Sequence, residues 1–231
     1  MSLIYSIHQP SYFPWLGLLH KIHRSDVFIV MDEVQLADRA YQNRNIFLTN
    51  NGKTKFLSIP IEKKEYRHKF FKELRIADPH WGQLHRNFIW NNYRKHPGFE
   101  QIFPDIEEVL SLSSPFLIDI VVASMLASMR WFGIDTELRF QSELIYDRST
   151  SKGDLILQLL KACDAKAYIS GRGAVAYQQD DMFEANGIQL SYADFSPRAY
   201  PQISGDPFVS GLSCIDLVCN LGIENAPQYL I

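Results

Sequence analysis

The stretch "LIYSIHQPSYFPWLGLLHKIHRSDVFIVMD", residues 3–32, decides the predicted fold. Its apolar beginning at 3–7 predicts a buried strand, and "WLGLLHKIHRS" predicts a helix with Leu16, Leu19 and Ile22 on one face. The run "DVFIVMD" predicts a second buried strand that ends in a carboxylate. A strand, a helix and a strand within about thirty residues make a βαβ unit, so we expect a parallel sheet.

Further strands and helices extend this pattern along the chain. Alternating strand and helix signals between residues 137 and 195 predict more α/β units. The Asn-Gly pair inside "NIFLTNNGKTKFLSIPI", residues 45–61, predicts an antiparallel β-hairpin. Three helices are expected in an insertion at about 78–134, the middle one shorter than the others and broken at Pro104. We therefore predict a single α/β domain over residues 1–231, with a Rossmann-like, mostly parallel sheet, an appended β-hairpin and this helical insertion.

Composition and charge narrow the class of protein. The chain of 231 residues has a formal charge of −3 and a pI of about 6.2, so it lacks the basic character of nucleic-acid-binding domains. Asp119 and several serines interrupt the longest apolar stretch, residues 114–134, which predicts a buried helix and no membrane span. Three cysteines without CxxC spacing, and no secretory signal, indicate reduced thiols and a cytoplasmic location. The oligomeric state stays open.

Polar side chains follow most of the predicted strands. Parallel strands end at the same edge of a sheet, and open α/β sheets bind ligands beyond the carboxyl ends of their strands. Two prolines, Pro10 and Pro14, would stiffen the first of these loops as one wall of a pocket. The candidate pocket residues are His8, Gln9, Tyr12, Trp15, Asp32, Gln35, Asn43, Arg44, Asn45, Ser142, Ser170, Gly171, Arg172, Tyr200 and Gln202.

Each of these residues has a structural alternative. His8 could equally be a core histidine bonded to a backbone carbonyl, and Asp32 could cap a turn. A clamp on the hairpin is favoured over anion binding for Arg44. The glycines of "SGRG", residues 170–173, fit a tight turn better than a phosphate cradle. Lys152 is expected in a solvated first turn of a helix.

Cofactor and metal signals are weak in this sequence. His20 and His23 lie three residues apart on a helix, but no third ligand has suitable spacing, so no metal site is predicted. P-loop, GxSxG and full GxGxxG patterns do not occur in the sequence. The cofactor is therefore unknown, and the sequence itself requires none.

Several stretches occur in a characteristic order between about residue 4 and residue 222. They are "HQPSYFPWLG", "FIVMDEVQ", "NRN", "LSIPI", "FQSEL", "YISGRGAVAY", "YPQ" and "LSCIDLVCNLG". Taken together, this pattern resembles the WbqC-like family. The chain departs from the family pattern at Leu18, Cys214 and Cys219, positions that bear on packing.

The resemblance implies a function in bacterial O-antigen, other glycan or antibiotic biosynthesis. Members of the family are suspected of adding an acyl or aminoacyl group, such as glycyl, to an amino sugar. The expected partner is therefore a sugar or nucleotide-sugar substrate. The residues that match family positions are His8, Gln9, Tyr12, Asp32, Gln35, Asn43, Arg44, Ser170, Gly171, Tyr200 and Gln202.

Our leading hypothesis from the sequence is acyl or aminoacyl transfer to the amine of a nucleotide- or lipid-linked amino sugar. His8 would act as the base, and Asp32 would hold the imidazole or the incoming ammonium. Ser170 and the Gly171 amide would support the developing oxyanion. Arginines would bind the phosphates of the carrier and aromatic side chains would stack on it, here Arg44, Arg172, Tyr12 and Trp15.

Two other hypotheses remain open. The order of strand, His-containing loop, helix and strand is similar to that of the HxGH nucleotidyltransferases, although "WLG" replaces the Gly-His half. Nucleotidyl transfer or ATP-dependent activation, with His8 and Lys152 on the phosphates, is thus an alternative. A non-catalytic module that binds a nucleotide sugar is the other, because no convincing nucleophile is evident.

Overall fold

The structure, a computed structural model, describes residues 2–37, 41–174, 180–203 and 207–231. Residues 175–179 of the predicted unit at 173–187, and 204–206 of the predicted tail, lie outside the described residues. The strands are β1 (Ile4–His8), β2 (Val27–Val30), β3 (Arg44–Leu48), β4 (Thr54–Ser58), β5 (Glu137–Phe140), β6 (Ala167–Gly171) and β7 (Gln189–Ala193). The helices are α1 (Leu16–His23), α2 (Trp81–Tyr93), α3 (Phe99–Ser111), α4 (Leu117–Trp131), α5 (Lys152–Ala162), α6 (Asp180–Glu184) and α7 (Cys214–Leu221).

Five strands form one parallel sheet in the order β5-β2-β1-β6-β7. Strands β2 and β5 lie on one side of β1, and the later strands β6 and β7 lie on its other side. This reversal of strand order beside the first strand is the Rossmann arrangement. Strands β3 and β4 pair separately as an antiparallel hairpin. The predicted fold class, including the appended hairpin, is confirmed.

The sheet carries an apolar core on each face. Val27 and Ile29 of β2 pack into a core that includes Leu159 of α5. Phe28 and Val30 of the same strand belong to a larger core built by α1 and the long helices. All four β2 residues are buried, which is why this strand is a continuous apolar run instead of an alternating one.

The helices α2, α3 and α4 lie between the hairpin and β5, in the region predicted as a helical insertion. The prediction that the middle helix is broken at Pro104 is wrong, because α3 runs without interruption from Phe99 to Ser111. A proline at this position removes only its own bond to the carbonyl of Glu100. Burial of Ile102 and Ile106 on one face keeps the helix intact. That the whole chain forms one domain stays a prediction.

The loop between β1 and α1 is held in a strained conformation. Phe13 has a φ of 37°, in the left-handed region that non-glycine residues rarely adopt. Its N–H donates to Ser124 Oγ at 3.0 Å, and its carbonyl accepts from Asn45 Nδ2 at 2.6 Å and Ser213 Oγ at 3.0 Å. Asn45 also donates to the Tyr12 carbonyl at 3.1 Å. The hairpin, α4 and the start of α7 therefore fix this loop together.

We expect Asn45→Ala to lower the free energy of unfolding by about 2 kcal/mol, because it deprives two buried carbonyls of a donor and releases the strained loop. Asn43→Ala is the control: it removes a single bond, from Nδ2 to the Ile59 carbonyl at 2.9 Å, and should cost about 1 kcal/mol. Urea unfolding followed by circular dichroism measures both. Equal losses in the two variants would contradict the role of Asn45 as the main tether of the loop.

Candidate functional site

A cavity of about 750 Å³ opens at the carboxyl ends of β1 and β6, where the strand order reverses. Open α/β sheets bind ligands at this point. The first residues of two helices also line the cavity, Gly17 in α1 and Lys152 and Gly153 in α5. Its volume lies within the range of small-molecule sites.

The lining of the cavity is positive and apolar. Lys152 and Arg172 contribute cationic side chains and Lys21 contributes an amine, whereas no carboxylate belongs to the lining that the structure describes. The exposed Arg172 forms an ion pair with Asp194 outside this lining. Most other walls are aliphatic or aromatic, including Trp15 and Phe195. The cavity thus favours a ligand that combines an anionic group with an apolar or ring-shaped part.

Lys21 is the functional candidate that sequence reasoning missed. It lies in α1 and is 4% exposed, and its Nζ donates to the Ile7 carbonyl at 2.9 Å. Within the described ranges, no carboxylate forms an ion pair with it. Burial lowers the pKa of Lys21 from 10.5 to about 7, because an ammonium group is poorly solvated there. A substantial fraction of this side chain is therefore an uncharged amine at neutral pH.

A signal for Lys21 does exist in the sequence. The helix "LGLLHKIH" places it three residues after Leu18 and directly before Ile22, so a lysine falls beside the apolar stripe. A lysine on the buried side of a short helix that follows the first strand indicates an unusual environment. This signal is weak, because lysine stems often cover apolar surface while the charge reaches solvent.

His8 lies beside this amine at the end of β1. Its Nδ1 is 2.8 Å from the Gln9 carbonyl, which favours the neutral tautomer with the proton on Nδ1 and leaves Nε2 as an acceptor. The ring meets Trp15 edge-on at a centroid distance of 5.7 Å. Burial and the nearby charge of Lys21 lower the pKa of His8 to about 3. At neutral pH His8 is consequently an uncharged and weak base.

The end of β6 supplies the opposite wall. Ser170 is 1% exposed, accepts a bond from Tyr168 Oη at 3.4 Å and lines the cavity with Gly171 and Arg172. A Cβ placed on Gly171 or Gly173 would meet no atom of the described residues within 4 Å. Open space therefore adjoins the backbone of this segment, where a ligand could approach its amides.

Six of the residues predicted for the pocket line this cavity. They are His8, Gln9, Trp15, Ser170, Gly171 and Arg172. Asp32 and Ser142 are brought together elsewhere: the Asp32 carboxylate accepts from Ser142 N at 2.9 Å and Ser142 Oγ at 2.6 Å. Neither residue belongs to the lining, and the exposed Gln35 does not either. The structure thus places His8 and Ser170 in one cavity and gives Asp32 a different partner.

Tyr12, Arg44, Asn43 and Asn45 lie outside the cavity lining and make contacts that stabilise the fold. Tyr12 is fully buried, and its hydroxyl lies 2.9 Å from His85 Nδ1. Arg44 packs over the ring of Phe56 at 4.4 Å. Asn43 and Asn45 bond backbone carbonyls, as described above.

A buried carboxylate engages the last two predicted residues. Asp216 Oδ2 accepts from Tyr200 Oη at 2.8 Å and from Gln202 Nε2 at 3.0 Å. Its other oxygen accepts from Tyr93 Oη at 3.1 Å. Tyr200 and Gln202 hence anchor the segment after β7 to α7, outside the lining of the large cavity.

Two further findings limit the chemistry of the site. In the parts of the chain that the structure describes, no group of three His, Cys, Asp or Glu side chains is arranged to hold a metal ion. The same parts contain no helix with the length and apolar character needed to cross a membrane.

The sheet order and the cavity at its reversal define a Rossmann-like α/β protein with a cation-lined pocket. The chain belongs to the WbqC-like protein family, whose sequence model matches residues 9–228. It is also similar to an uncharacterized protein of Mycobacterium tuberculosis, with 27% identity over 227 residues that cover 97% of this chain and 96% of the relative. No solved structure matches the chain.

Replacement of Lys21 by methionine should change how stability depends on pH. The pKa of Lys21 is near 7 in the folded chain and near 10.5 in the unfolded chain, so the unfolded state binds more protons between these values. Lys21 should therefore add roughly 2 kcal/mol to the free energy of unfolding between pH 7 and pH 9, and the pH profile of Lys21→Met should lack this contribution.

Urea unfolding at several pH values measures this effect. Lys152→Met is the matched control, because Lys152 lines the same cavity but is exposed, and it should keep the wild-type dependence. Identical pH profiles for wild type and Lys21→Met would contradict the burial of a neutral amine.

Proposed function

We propose that the protein transfers an acyl or aminoacyl group to the amine of a nucleotide- or lipid-linked amino sugar. The reaction would take place in the cytoplasm, in the biosynthesis of a bacterial surface glycan or an antibiotic. The family supports this hypothesis through the resemblance described above. The observation that carries it is the cavity itself, which combines an uncharged lysine amine with a cationic lining free of described carboxylates.

The charge of the cavity suits a phosphate-bearing carrier. Lys152 and Gly153 begin α5, where backbone N–H groups and the helix dipole favour an anion. Arg172 adds a guanidinium on the same rim, where a phosphate would compete with Asp194 for it. Trp15 and Phe195 offer ring faces for the sugar or base. A nucleotide or polyprenyl diphosphate headgroup would satisfy these groups together.

Lys21 is better suited than His8 to take up the proton. The sugar amine arrives as an ammonium and must lose one proton before its nitrogen can attack the acyl carbon. A base with a pKa near 7 accepts this proton efficiently, whereas a base with a pKa near 3 does not. In this scheme the new N–C bond forms, and the bond to the leaving group of the activated donor breaks. That group departs with the electron pair and takes the second proton of the attacking nitrogen.

His8 and Ser170 would then orient the reactants. Nε2 of His8 can accept a hydrogen bond from the sugar amine, and Ser170 with the Gly171 amide can donate to the oxyanion that develops on the acyl carbonyl. Asp32 stays a predicted catalytic residue. Its bonds to Ser142 favour an indirect effect, through the loop after β5, over contact with the substrate.

Nucleotidyl transfer or ATP-dependent activation is the second candidate. The observation in its favour is that His8 and Lys152 line the same cavity. Pyrophosphate release from ATP in the presence of candidate acids, without an amino sugar, would support this reaction over simple acyl transfer. A ligand that raises the melting temperature and is recovered unchanged would favour a binding module.

The test of transfer is incubation of the purified protein with nucleotide-linked amino sugars and activated glycine or other acyl donors, followed by mass spectrometry. We expect an acylated sugar whose formation rate rises with pH through about 7, because Lys21 must be uncharged. Lys21→Met should lower kcat by about 10²- to 10⁴-fold, and His8→Ala should cost less.

Lys166→Met is the control, since this exposed lysine lies outside the cavity lining. Absence of product with every pair of donor and acceptor would count against transfer. Full activity of Lys21→Met would refute only the assignment of the base.

A further inference from the structure

The amine of Lys21 combines three properties of a carbon nucleophile. It is buried, it borders a cavity large enough for a small molecule, and its one described hydrogen bond goes to the Ile7 carbonyl. No carboxylate of the described residues forms an ion pair with its ammonium form. An uncharged lysine in an apolar pocket attacks carbonyl carbons, and enzymes that form imines activate their lysines through desolvation of this kind.

The neighbours of the amine suit the same chemistry. The imidazole of His8 and the hydroxyl of Ser170 line the same cavity and can form hydrogen bonds with an intermediate. The remaining walls near α1 are apolar, including Leu18 and Met31, so they exclude water that would hydrolyse an imine.

We propose that Lys21 is a carbonyl-reactive lysine that condenses with the aldehyde or ketone of an anionic small molecule. The amine nitrogen bonds to the carbonyl carbon, the C=O bond breaks, and the oxygen leaves as water with the two hydrogens of the amine. The product is an imine, and the step needs no oxidant or reductant. This activity goes beyond acyl transfer, because the amine acts here as a nucleophile and not as a base.

The cationic rim indicates the class of carbonyl compound. Lys152 and Arg172 are exposed at the opening, whereas Lys21 is buried. A ligand with a phosphate at the rim would place its other end toward the buried amine. The volume of about 750 Å³ admits a phosphorylated or nucleotide-linked sugar with a keto or aldehyde group.

Pyridoxal 5′-phosphate is a suitable probe, because it joins an aldehyde and a phosphate on one aromatic ring. The folded wild-type protein is treated with a limiting amount of the probe at pH 7, reduced with borohydride, and digested for peptide mass spectrometry. We expect Lys21 to carry at least about tenfold more label than any exposed lysine, since ordinary lysines are almost fully protonated at this pH. The labelled fraction should be half-maximal near pH 7, where Lys21 loses its proton.

Two comparisons make the result decisive. Lys166→Met, which changes an exposed lysine outside the cavity lining, should keep the label on Lys21, and pyridoxal, which lacks the phosphate, should label Lys21 several-fold less. Label confined to exposed lysines, or a midpoint near pH 10 at Lys21, would overturn the proposal. Equal labelling by pyridoxal would overturn its anionic-ligand part. Wild-type mapping alone decides the main point, even where Lys21→Met fails to fold, and no outcome depends on acyl transfer.

Discussion

The constraint on which the site depends is the burial of the Lys21 amine beside the end of β1 without a described counter-ion. A charged group in such a place is costly, so it gives up its proton instead. His8 stays neutral for the same reason, and the charge of Lys21 reinforces this effect. Lys21 and His8 form what we call the floor of the cavity. Near pH 7 His8 is uncharged and Lys21 is partly uncharged, while the cations of Lys152 and Arg172 remain at the rim. An anion that reached the floor would raise the pKa of Lys21 and draw a proton into the site, which couples ligand charge to the reactivity of the amine.

Residues outside the cavity lining fix the loop between β1 and α1, which borders the floor of the cavity. Asn45, Ser124 and Ser213 fix Phe13 in its left-handed conformation, and this fixes the loop that carries His8 and Trp15 at its two ends. The buried carboxylate of Asp216 likewise fixes the segment after β7, through its bonds from Tyr200 and Gln202. Many polar residues that match the family pattern thus stabilise the fold and do not line the cavity. Their contribution to function is to hold the strand-order reversal and its loops in one geometry.

Local signals explain what could be predicted from the sequence. The β1-α1-β2 unit and the Asn-Gly hairpin follow from periodicity and turn chemistry within short windows, and both are confirmed. Contacts between distant segments could not be predicted: the bond between Asp32 and Ser142 spans 110 residues, and it engages a carboxylate that was expected in the pocket. Pro104 was misjudged because tertiary burial outweighs one missing helix bond. Lys21 was missed because sequence patterns assign lysine to solvent, and only the packed structure removes water from its amine.

The most direct test of this account is an NMR titration of the Lys21 side chain, with ¹³Cε-labelled lysine and assignment by Lys21→Met. The chemical shift of Cε reports whether the neighbouring amine is protonated. We predict a midpoint near pH 7 for Lys21, well below its ordinary value of 10.5. A Lys21 midpoint above about 10 would mean that the amine keeps its charge at neutral pH, and it could then be neither the base nor the nucleophile of this cavity.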